Sequence, residues 1–201
     1  RVADVVYAAT ETGVVGCDLA TGEHVIELPG NRDSAVSADD ARVYTATNGR
    51  LNAYDRDTSE LVWSTQTNGS FGNPGRALVI AVSGANVVAA DASASSMDVQ
   101  PRGGLAALDG AGGITSWGPV ADGTVRSLAV DGDRIVAGGE FTKIDGITRN
   151  RLAGLDPLSG VVDGWDPNAN GTVVAVEAAD GVVFAGGQFT PVDGATHNRG
   201  A

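Results

Sequence analysis

Histidine and cysteine, the side chains that most often act as general bases, nucleophiles or metal ligands, are scarce in this 201-residue sequence. The two histidines are His24, which follows a hairpin turn, and His197, whose equivalent in a preceding repeat is Arg149. We interpret both as exposed side chains. No H-x-x-x-H, C-x-x-C or H-E-x-x-H spacing occurs, so the sequence offers no motif for structural or catalytic zinc.

The single cysteine, Cys17, lies in the apolar run VVGCDL. A lone cysteine cannot form a disulfide within the chain, and it gives no indication of the redox compartment. In an apolar strand we expect Cys17 to be a buried structural thiol rather than a nucleophile.

Acidic clusters are the other candidates for chemistry. The segment Asp55-x-Asp57-x-Ser59 has the alternating oxygen ligands of a calcium loop, but its sixth and twelfth positions are Glu60 and Gln66 instead of glycine and glutamate. We therefore interpret it as a hairpin turn, and we interpret residues 131–133 (Asp-Gly-Asp) in the same way. Sequence spacing does not identify a carboxylate pair for glycoside hydrolysis, because it does not give separation in space. We predict no catalytic, cofactor-binding or metal-binding residue.

One acidic and one basic residue recur together at the same spacing in two repeats. Asp145 with Arg151 is followed by Asp193 with Arg199. A catalytic feature is rarely needed in two adjacent repeats. We therefore expect an ion pair or a hydrogen-bonded clamp that ties the loop between the second and third strands to its own strand.

An internal repeat defines the elements that position these residues. Residues 123–153 read GTVRSLAVDGDRIVAGGEFTKIDGITRNRLA, and residues 171–201, which begin 48 positions later, read GTVVAVEAADGVVFAGGQFTPVDGATHNRGA. A repeat of this period indicates a modular β architecture. Its glycine pairs, at 138–139 and 186–187, predict a β-bulge or a close backbone approach near a strand end. No G-x-G-x-x-G motif for binding phosphate occurs.

A hairpin between the third and fourth strands is the most regular marker of the units. It reads GCDLATGEHVIEL, NAYDRDTSELVW, AALDGAGGITSW and AGLDPLSGVVDGW. An aspartate closes the third strand each time, at Asp18, Asp55, Asp109 and Asp156, and the fourth strand carries Ile26, Trp63, Trp117 or Trp165. The same four-stranded unit thus recurs with loops of different length.

These units predict an all-β fold, a β-propeller built from four-stranded antiparallel blades. The units cover about 1–30, 34–66, 76–119, 123–167 and, incompletely, 171–201, and we expect residues 1–201 to be one propeller region. Four strands alone cannot bury both faces of a sheet, so neighbouring sheets must stack. We assign Trp63, Trp117, Trp165, Phe141 and Phe189 to the layers between sheets. The Ser-rich insertion 93–103, with the only methionine, Met97, is expected to be an exposed loop.

The number of strands predicts a partial propeller, with about three complete blades and partial blades at both ends, whereas closed propellers have roughly four to eight. Two arrangements fit this number. We favour a part of a larger propeller whose further blades come from the same parent chain; the alternative is a small ring whose ends complete a shared blade. An open arc exposes apolar faces and unpaired strand edges, which favours association.

The units resemble two known propeller repeats. Residues 13–29 and 50–63, with the pattern G-x-L-x-A-x-D-x-x-T-G/S-x-x-x-W, resemble the quinoprotein-type (PQQ-like) repeat. Residues 123–167 and 171–201 resemble the bacterial delta-60 repeat through AGGEF (137–141), AGGQF (185–189) and NRLAGLD (150–156). Quinoprotein dehydrogenases hold a quinone and calcium in the central channel, but this chain has no adjacent-cysteine pair and no assignable ligand set. We take the resemblance as architectural.

The net charge of −12 argues against nucleic acid as a partner, because an acidic surface repels phosphate backbones. The apolar runs are far shorter than the roughly 20 residues of a membrane helix, so we expect no membrane insertion. We recognise no signal peptide. Lys143 is the only lysine among 13 basic residues, a composition typical of high-GC bacteria.

We therefore expect a non-catalytic propeller scaffold or recognition module, without a cofactor, in a bacterial protein at the cell surface or outside the cell. Its ligand would be a protein or a glycan, held by loops at one end of the channel that include residues 93–103. The alternative is part of a quinone-dependent, metal-dependent or glycan-acting enzyme whose site lies in the channel or in further blades.

Overall fold

The structure is a computed structural model of the chain. It describes residues 5–31, 34–47, 49–66, 78–83, 86–91, 96–97, 100–101, 104–192 and 195–196. Within these ranges the regular structure is β-strand, and no helix occurs. The prediction of an all-β fold is confirmed.

Five antiparallel sheets of two to four strands follow one another along the chain, and a separate two-stranded hairpin accompanies each of the last three. Sheet 1 contains β1 (Val5–Ala9), β2 (Gly13–Asp18) and β3 (His24–Pro29). Sheet 2 contains β4 (Ala35–Ala38), β5 (Arg42–Thr47), β6 (Arg50–Asp55) and β7 (Leu61–Gln66). In sheet 3, β8 (Leu78–Ser83) and β9 (Asn86–Asp91) are followed by a small hairpin, β10 (Ser96–Met97) with β11 (Gln100–Pro101), and then by β12 (Leu105–Leu108).

The last two sheets contain the repeat that is most regular in sequence. In sheet 4, β13 (Val125–Asp131) and β14 (Arg134–Gly139) precede the hairpin of β15 (Lys143–Ile144) and β16 (Ile147–Thr148), and β17 (Leu152–Leu155) pairs with β14. Sheet 5 contains β18 (Thr172–Ala179) and β19 (Val182–Gln188), followed by the hairpin of β20 (Pro191–Val192) and β21 (Ala195–Thr196). Only part of the insertion 93–103 lies within the described residues, and that part is the β10–β11 hairpin, not simply a loop.

The fourth strand is complete in sheet 2, but in sheets 3 and 4 it is reduced to one isolated bridge, Leu108 with Ile114 and Leu155 with Val162. The reason is local. The main-chain N–H of Trp117 donates to Thr115 Oγ1 at 3.2 Å, and that of Trp165 donates to Asp163 Oδ1 at 2.8 Å. These short-range bonds turn the backbone away from the strand direction, as Ser, Thr and Asp side chains often do.

The sheets stack face to face, and the core lies between them. Four apolar clusters join sheets 1 and 2, 2 and 3, 3 and 4, and 4 and 5. Trp63, Trp117, Phe141 and Phe189 are buried in these layers, as predicted, whereas Trp165 is half-buried at the margin of the last one. The first strands β4, β8, β13 and β18 contact each other in that order.

This arrangement of stacked antiparallel sheets, with the first strands innermost, is a partial β-propeller. Among the described residues, β1 pairs only with β2 and β19 only with β18, so the inner edge of sheet 1 and the outer edge of sheet 5 carry backbone groups without a sheet partner.

Candidate functional site

The innermost strands of four sheets line a groove of about 280 Å³, which we call the inner groove. Its walls are formed by Ser37 and Ala38 of β4, residues 80–82 of β8, residues 128–130 of β13 and Glu177 of β18. Each of these strands pairs on one side only within the described residues, so main-chain groups as well as side chains face the groove. It is the counterpart of the central channel of a closed propeller.

One end of the inner groove opens at the β4–β5 turn, where Asp39 organises the backbone. Asp39 Oδ1 accepts hydrogen bonds from the N–H groups of Ala41 and Arg42, at 2.8 and 2.7 Å. Asp39 Oδ2 accepts a hydrogen bond of 2.7 Å from the Tyr44 hydroxyl. Burial, reinforced by this bond to a carboxylate, raises the pKa of Tyr44 to about 12, so the phenol stays protonated at neutral pH.

The Asp39 corner, formed by residues 38–41 with Val82, encloses about 520 Å³ of open space. Arg56 Nη1 donates to the main-chain oxygen of Asp39 at 3.1 Å, and Arg42 Nη1 donates to the main-chain oxygen of Gly110 in sheet 3. These bonds fix the corner to two sheets. Asp40 is an exposed residue of the corner, so the corner presents negative charge and hydrogen-bond acceptors to a ligand. No sequence motif predicted the Asp39 corner, because the hydrogen bond from Tyr44 to Asp39 spans the β4–β5 turn.

The aspartates that close the third strands hold their own turns. Asp55 Oδ1 accepts the N–H groups of Asp57 and Thr58 at 3.0 and 2.9 Å, and Ser59 in the same turn has a positive φ of 61°. The interpretation of this segment as a hairpin turn is confirmed. The main-chain N–H of Thr58 donates to the Asp55 carboxylate, and that of Ser159 donates to the Asp156 carboxylate. These hydrogen bonds lower the pKa of both carboxyl groups.

The turn at residues 131–133 is likewise a hairpin connection, between β13 and β14. Arg134 Nε donates to Asp131 Oδ2 at 2.8 Å, and Gly132 has a positive φ of 55°. Its acidic side chains therefore support a turn, as expected.

The prediction that Asp145 and Arg151 form an ion pair is wrong. Asp145 Oδ1 accepts the N–H of Val120 at 2.8 Å, whereas Arg151 Nη1 donates to the main-chain oxygen of Ala169 at 3.0 Å. Both residues have positive φ, which directs their side chains to different neighbouring segments. They are clamps, but they act on the segments before and after the sheet. The second pair, Asp193 with Arg199, lies outside the described residues.

A different pair of clamps recurs in the repeat and was not predicted. Asp122 Oδ1 accepts the N–H of Thr142 at 2.7 Å, and 48 residues later Asn170 Oδ1 accepts the N–H of Thr190 at 3.0 Å. Both tie the segment before the first strand to the end of the second. Aspartate and asparagine share only the carbonyl-type oxygen that accepts the bond, so an identity-based comparison of the repeats misses them.

The glycine pairs behave as predicted. A Cβ atom on Gly139 would overlap the carbonyl oxygen of Thr124, and one on Gly187 would overlap that of Thr172. The opposing strands β13 and β18 each shift register there, between Val125 and Ser127 in β13. The glycines therefore allow a close backbone approach beside a β-bulge.

The remaining candidate residues do not come together. His24 is exposed at the start of β3, and His197 lies outside the described residues. Cys17 is a free, half-buried thiol rather than a fully buried one, because it lies on the face of sheet 1 that is turned away from sheet 2. Within the described ranges no three His, Cys, Asp or Glu residues are placed to hold a metal ion. Nor does that part of the chain contain a helix with the length and apolar character needed to cross a membrane.

Comparison with known proteins identifies a family and solved structures of similar fold. The family model PQQ_2, described as outer membrane protein assembly factor BamB, matches residues 11–170. The crystal structure of the computationally designed Ika4 protein is similar with a TM-score of 0.58 and 16% identity, over 84% of this chain and 94% of that one. No curated protein matches the chain. The similarity to Ika4 supports the fold alone.

Proposed function

This chain belongs to the PQQ_2 family, described as outer membrane protein assembly factor BamB, and from that membership we propose that it is a non-catalytic β-propeller scaffold that binds another protein. The observation that carries the proposal is that the repeated aspartates stabilise hairpin turns. Asp18, Asp55 and Asp156 each hold the turn of a different sheet. Repetition of this kind builds a rigid support, and recognition falls to the surfaces where the sheets differ.

The recognition surface that we propose is the Asp39 corner together with the adjoining end of the inner groove. Asp40 is exposed there, and the chain carries a net charge of −12. A protein segment with lysine or arginine side chains complements such a surface and gains speed of association from it. The inner strands each have one edge without a sheet partner within the described residues, and these edges add main-chain hydrogen-bonding groups for an extended segment. A glycan ligand has no comparable support.

Site-specific photo-crosslinking tests this proposal. A photoreactive phenylalanine analogue is placed at Asp40 and, as a control, at Leu158, an exposed residue in a turn of sheet 4. In the source cell we expect a specific protein crosslink from position 40 and none from position 158. No crosslink at position 40, or the same products from both positions, would contradict the proposed surface.

The non-catalytic part of the proposal has its own test. The purified protein is mixed with pyrroloquinoline quinone and calcium, and the absorbance of the quinone is followed. We expect no uptake, and stoichiometric uptake would favour a quinone-dependent enzyme instead.

The insertion at residues 93–103 is proposed as an additional contact for the partner. Its deletion should weaken the crosslink from position 40 and leave the circular dichroism spectrum unchanged. An unchanged crosslink would exclude the insertion from the binding surface.

We further propose that residues 1–201 form one propeller region whose units are successive blades, and that the units at 123–167 and 171–201 are of the bacterial delta-60 type. The AGG-F and N-R-x-A blocks support that assignment. The family description supports a bacterial protein of the cell envelope, and we propose a position at the cell surface or outside the cell. Further blades of the parent chain are among the proposed partners.

A further inference from the structure

Asn170 and Gly171 form an asparagine–glycine pair in the segment before sheet 5. In such a pair the main-chain nitrogen of the glycine can attack the side-chain amide carbon of the asparagine, because glycine has no Cβ atom to hinder the approach. Asn170 is exposed, and the N–H of Gly171 donates to no acceptor among the described residues. Both reacting groups are therefore accessible at the surface.

A following sheet does not cover this position. The counterpart of Asn170 in the repeat is Asp122, which stands 48 residues earlier and is followed by Gly123. Sheet 5 packs against sheet 4, yet Asp122, in the segment before sheet 4, is exposed as well. The exposure of Asn170 is therefore a property of the repeat.

The fold requires glycine at position 171. A Cβ atom there would overlap the main-chain oxygen of Gln188, at the end of the opposing strand β19. At Gly123 a Cβ atom would lie 2.9 Å from the Cα atom of Phe141. The packing thus keeps glycine in both copies, and the residue before it is aspartate in one copy and asparagine in the other.

Thr190 holds the Asn170 side chain in the folded chain. The main-chain N–H of Thr190 donates to Asn170 Oδ1 at 3.0 Å, and Asn170 Nδ2 donates to Thr190 Oγ1 at 3.2 Å. Attack by Gly171 requires these bonds to break, because the amide carbon must turn toward the main-chain nitrogen. Both bonds are exposed to water, where a hydrogen bond contributes little net free energy, so they slow the reaction without preventing it.

We propose that Asn170 is a site of spontaneous deamidation and that its hydrogen bonds to Thr190 set the rate. The nitrogen of Gly171 forms a bond to Cγ of Asn170 and loses its proton, and the side-chain amide nitrogen leaves as ammonia, which gives a succinimide ring. Water then opens the ring to aspartate or to isoaspartate. Water is the co-reactant, and the modification adds one negative charge to the chain.

The repeat shows that the fold accepts the aspartate product. Asp122 Oδ1 accepts the N–H groups of Thr142 and Lys143 at 2.7 and 2.8 Å, and the Thr142 hydroxyl donates to Asp122 Oδ2 at 2.6 Å. Thr190 has the same two donors, so its hydroxyl changes from acceptor to donor when the amide becomes a carboxylate. Pro191 stands in place of Lys143 and supplies no N–H. Two of the three bonds are therefore available to the product.

Peptide mapping by mass spectrometry tests the proposal on the whole chain, incubated folded and, as a reference, unfolded in urea at the same mildly alkaline pH. We expect conversion at Asn170 in both samples. Asn168, which is followed by alanine, should stay intact in the folded chain. The mapping also separates position 170 from Asn48 and Asn68, the other two asparagines that precede glycine.

Two substitutions of Thr190 test the part played by its hydrogen bonds. Thr190→Val removes the hydroxyl that accepts from Asn170 Nδ2, and it should raise the rate of conversion in the folded chain about fivefold, the effect of one lost hydrogen bond. Thr190→Ser keeps the hydroxyl and should leave the rate unchanged. Equal rates in the two variants would overturn the proposal, and so would an Asn170 that stays intact in the folded chain while it converts fully in urea.

The fate of the product is measured separately by urea denaturation. Asn170→Asp reproduces the aspartate product and should keep the midpoint of the unmodified chain. Asn170→Ala, which lacks an acceptor for the N–H of Thr190, should lower it. Equal losses in both variants would contradict the conclusion that the fold accepts the aspartate product.

Discussion

The indole Nε1 of Trp117 donates a hydrogen bond of 2.8 Å to the main-chain oxygen of Asp156, 39 residues further along the chain. Trp117 follows the third strand of sheet 3, and Asp156 closes the third strand of sheet 4. The bond therefore joins neighbouring sheets at the turn of the second one. Trp63 makes the same approach from sheet 2, where a Cβ atom on Gly112 would lie 2.7 Å from its ring, but its Nε1 is buried without an acceptor among the described residues.

Replacing Trp117 with phenylalanine should destabilise the fold more than replacing Trp63. Both substitutions remove the same ring volume from an inter-sheet layer, but only Trp117→Phe removes a hydrogen bond, whereas Trp63→Phe removes an unsatisfied donor. We expect a difference of about 1 kcal/mol in the free energy of unfolding, measured by urea denaturation. Equal losses would show that the Trp117 bond contributes nothing to stability.

Acid should weaken the fold through the turn aspartates. The Asp18 carboxylate accepts a hydrogen bond from the main-chain N–H of Thr21, and the Asp156 carboxylate accepts one from that of Ser159. Both bonds lower the pKa of the carboxyl group that accepts them. A carboxyl with a lower pKa in the folded chain stabilises the fold above its unfolded pKa of about 3.9, and that stabilisation is lost as the pH falls through the folded value. We expect the free energy of unfolding to decrease below about pH 4.

Asp156→Asn provides the matched test of this pH dependence. It keeps an oxygen acceptor in the turn and removes the titrating charge, so the decrease in stability below about pH 4 should become shallower. Asp133→Asn is the control for the change in net charge alone, because it removes one charge from a turn residue whose side chain accepts no hydrogen bond among the described residues. The idea fails if both variants follow the unmodified protein.

Alkali should reveal Tyr44 as the last tyrosine to ionise. Burial and the bond to Asp39 raise its pKa to about 12 from the ordinary value of 10.0. Stability from this raised pKa is complete below about pH 10 and is lost as the pH rises toward about 12. Tyr44→Phe should remove the latest step from the absorbance titration of tyrosinate, and Asp39→Asn should move that step to lower pH. A latest step that survives in Tyr44→Phe would contradict this assignment.

The fold was predictable from sequence because its signals are local. Alternating Val, Ile and Tyr between turn residues locates most strands to within one or two positions, and the recurring Trp63, Trp117 and Phe141 identify the buried layers. The shortened fourth strands were not predicted. Their cause is a single acceptor two residues before the tryptophan, Thr115 or Asp163, and strand propensity does not include such a bond.

The polar contacts were much harder to predict, because they join segments far apart in sequence. Asp145 and Arg151 have opposite charges and a repeated spacing, yet positive φ at both turns their side chains to Val120 and Ala169. Spacing along the chain therefore gave the right function of clamping with the wrong partners. The same limit hides the Asp39 corner, which depends on bonds across a turn and between sheets.

Gly139 should tolerate no side chain, because a Cβ atom there would overlap the carbonyl oxygen of Thr124 and lie 3.0 Å from Val125 Cα. Both obstacles are main-chain atoms of the opposing strand, so relief requires movement of the sheet instead of a rotamer change. We expect Gly139→Ala to cost about 2 kcal/mol in thermal or urea unfolding. Gly164→Ala is the control, since a Cβ atom at Gly164 meets nothing within 4 Å, and its effect should stay within about 0.5 kcal/mol. A small loss for Gly139→Ala would mean that the bulge in β13 adjusts easily, and that the glycine pair is not needed for the close approach of the two strands.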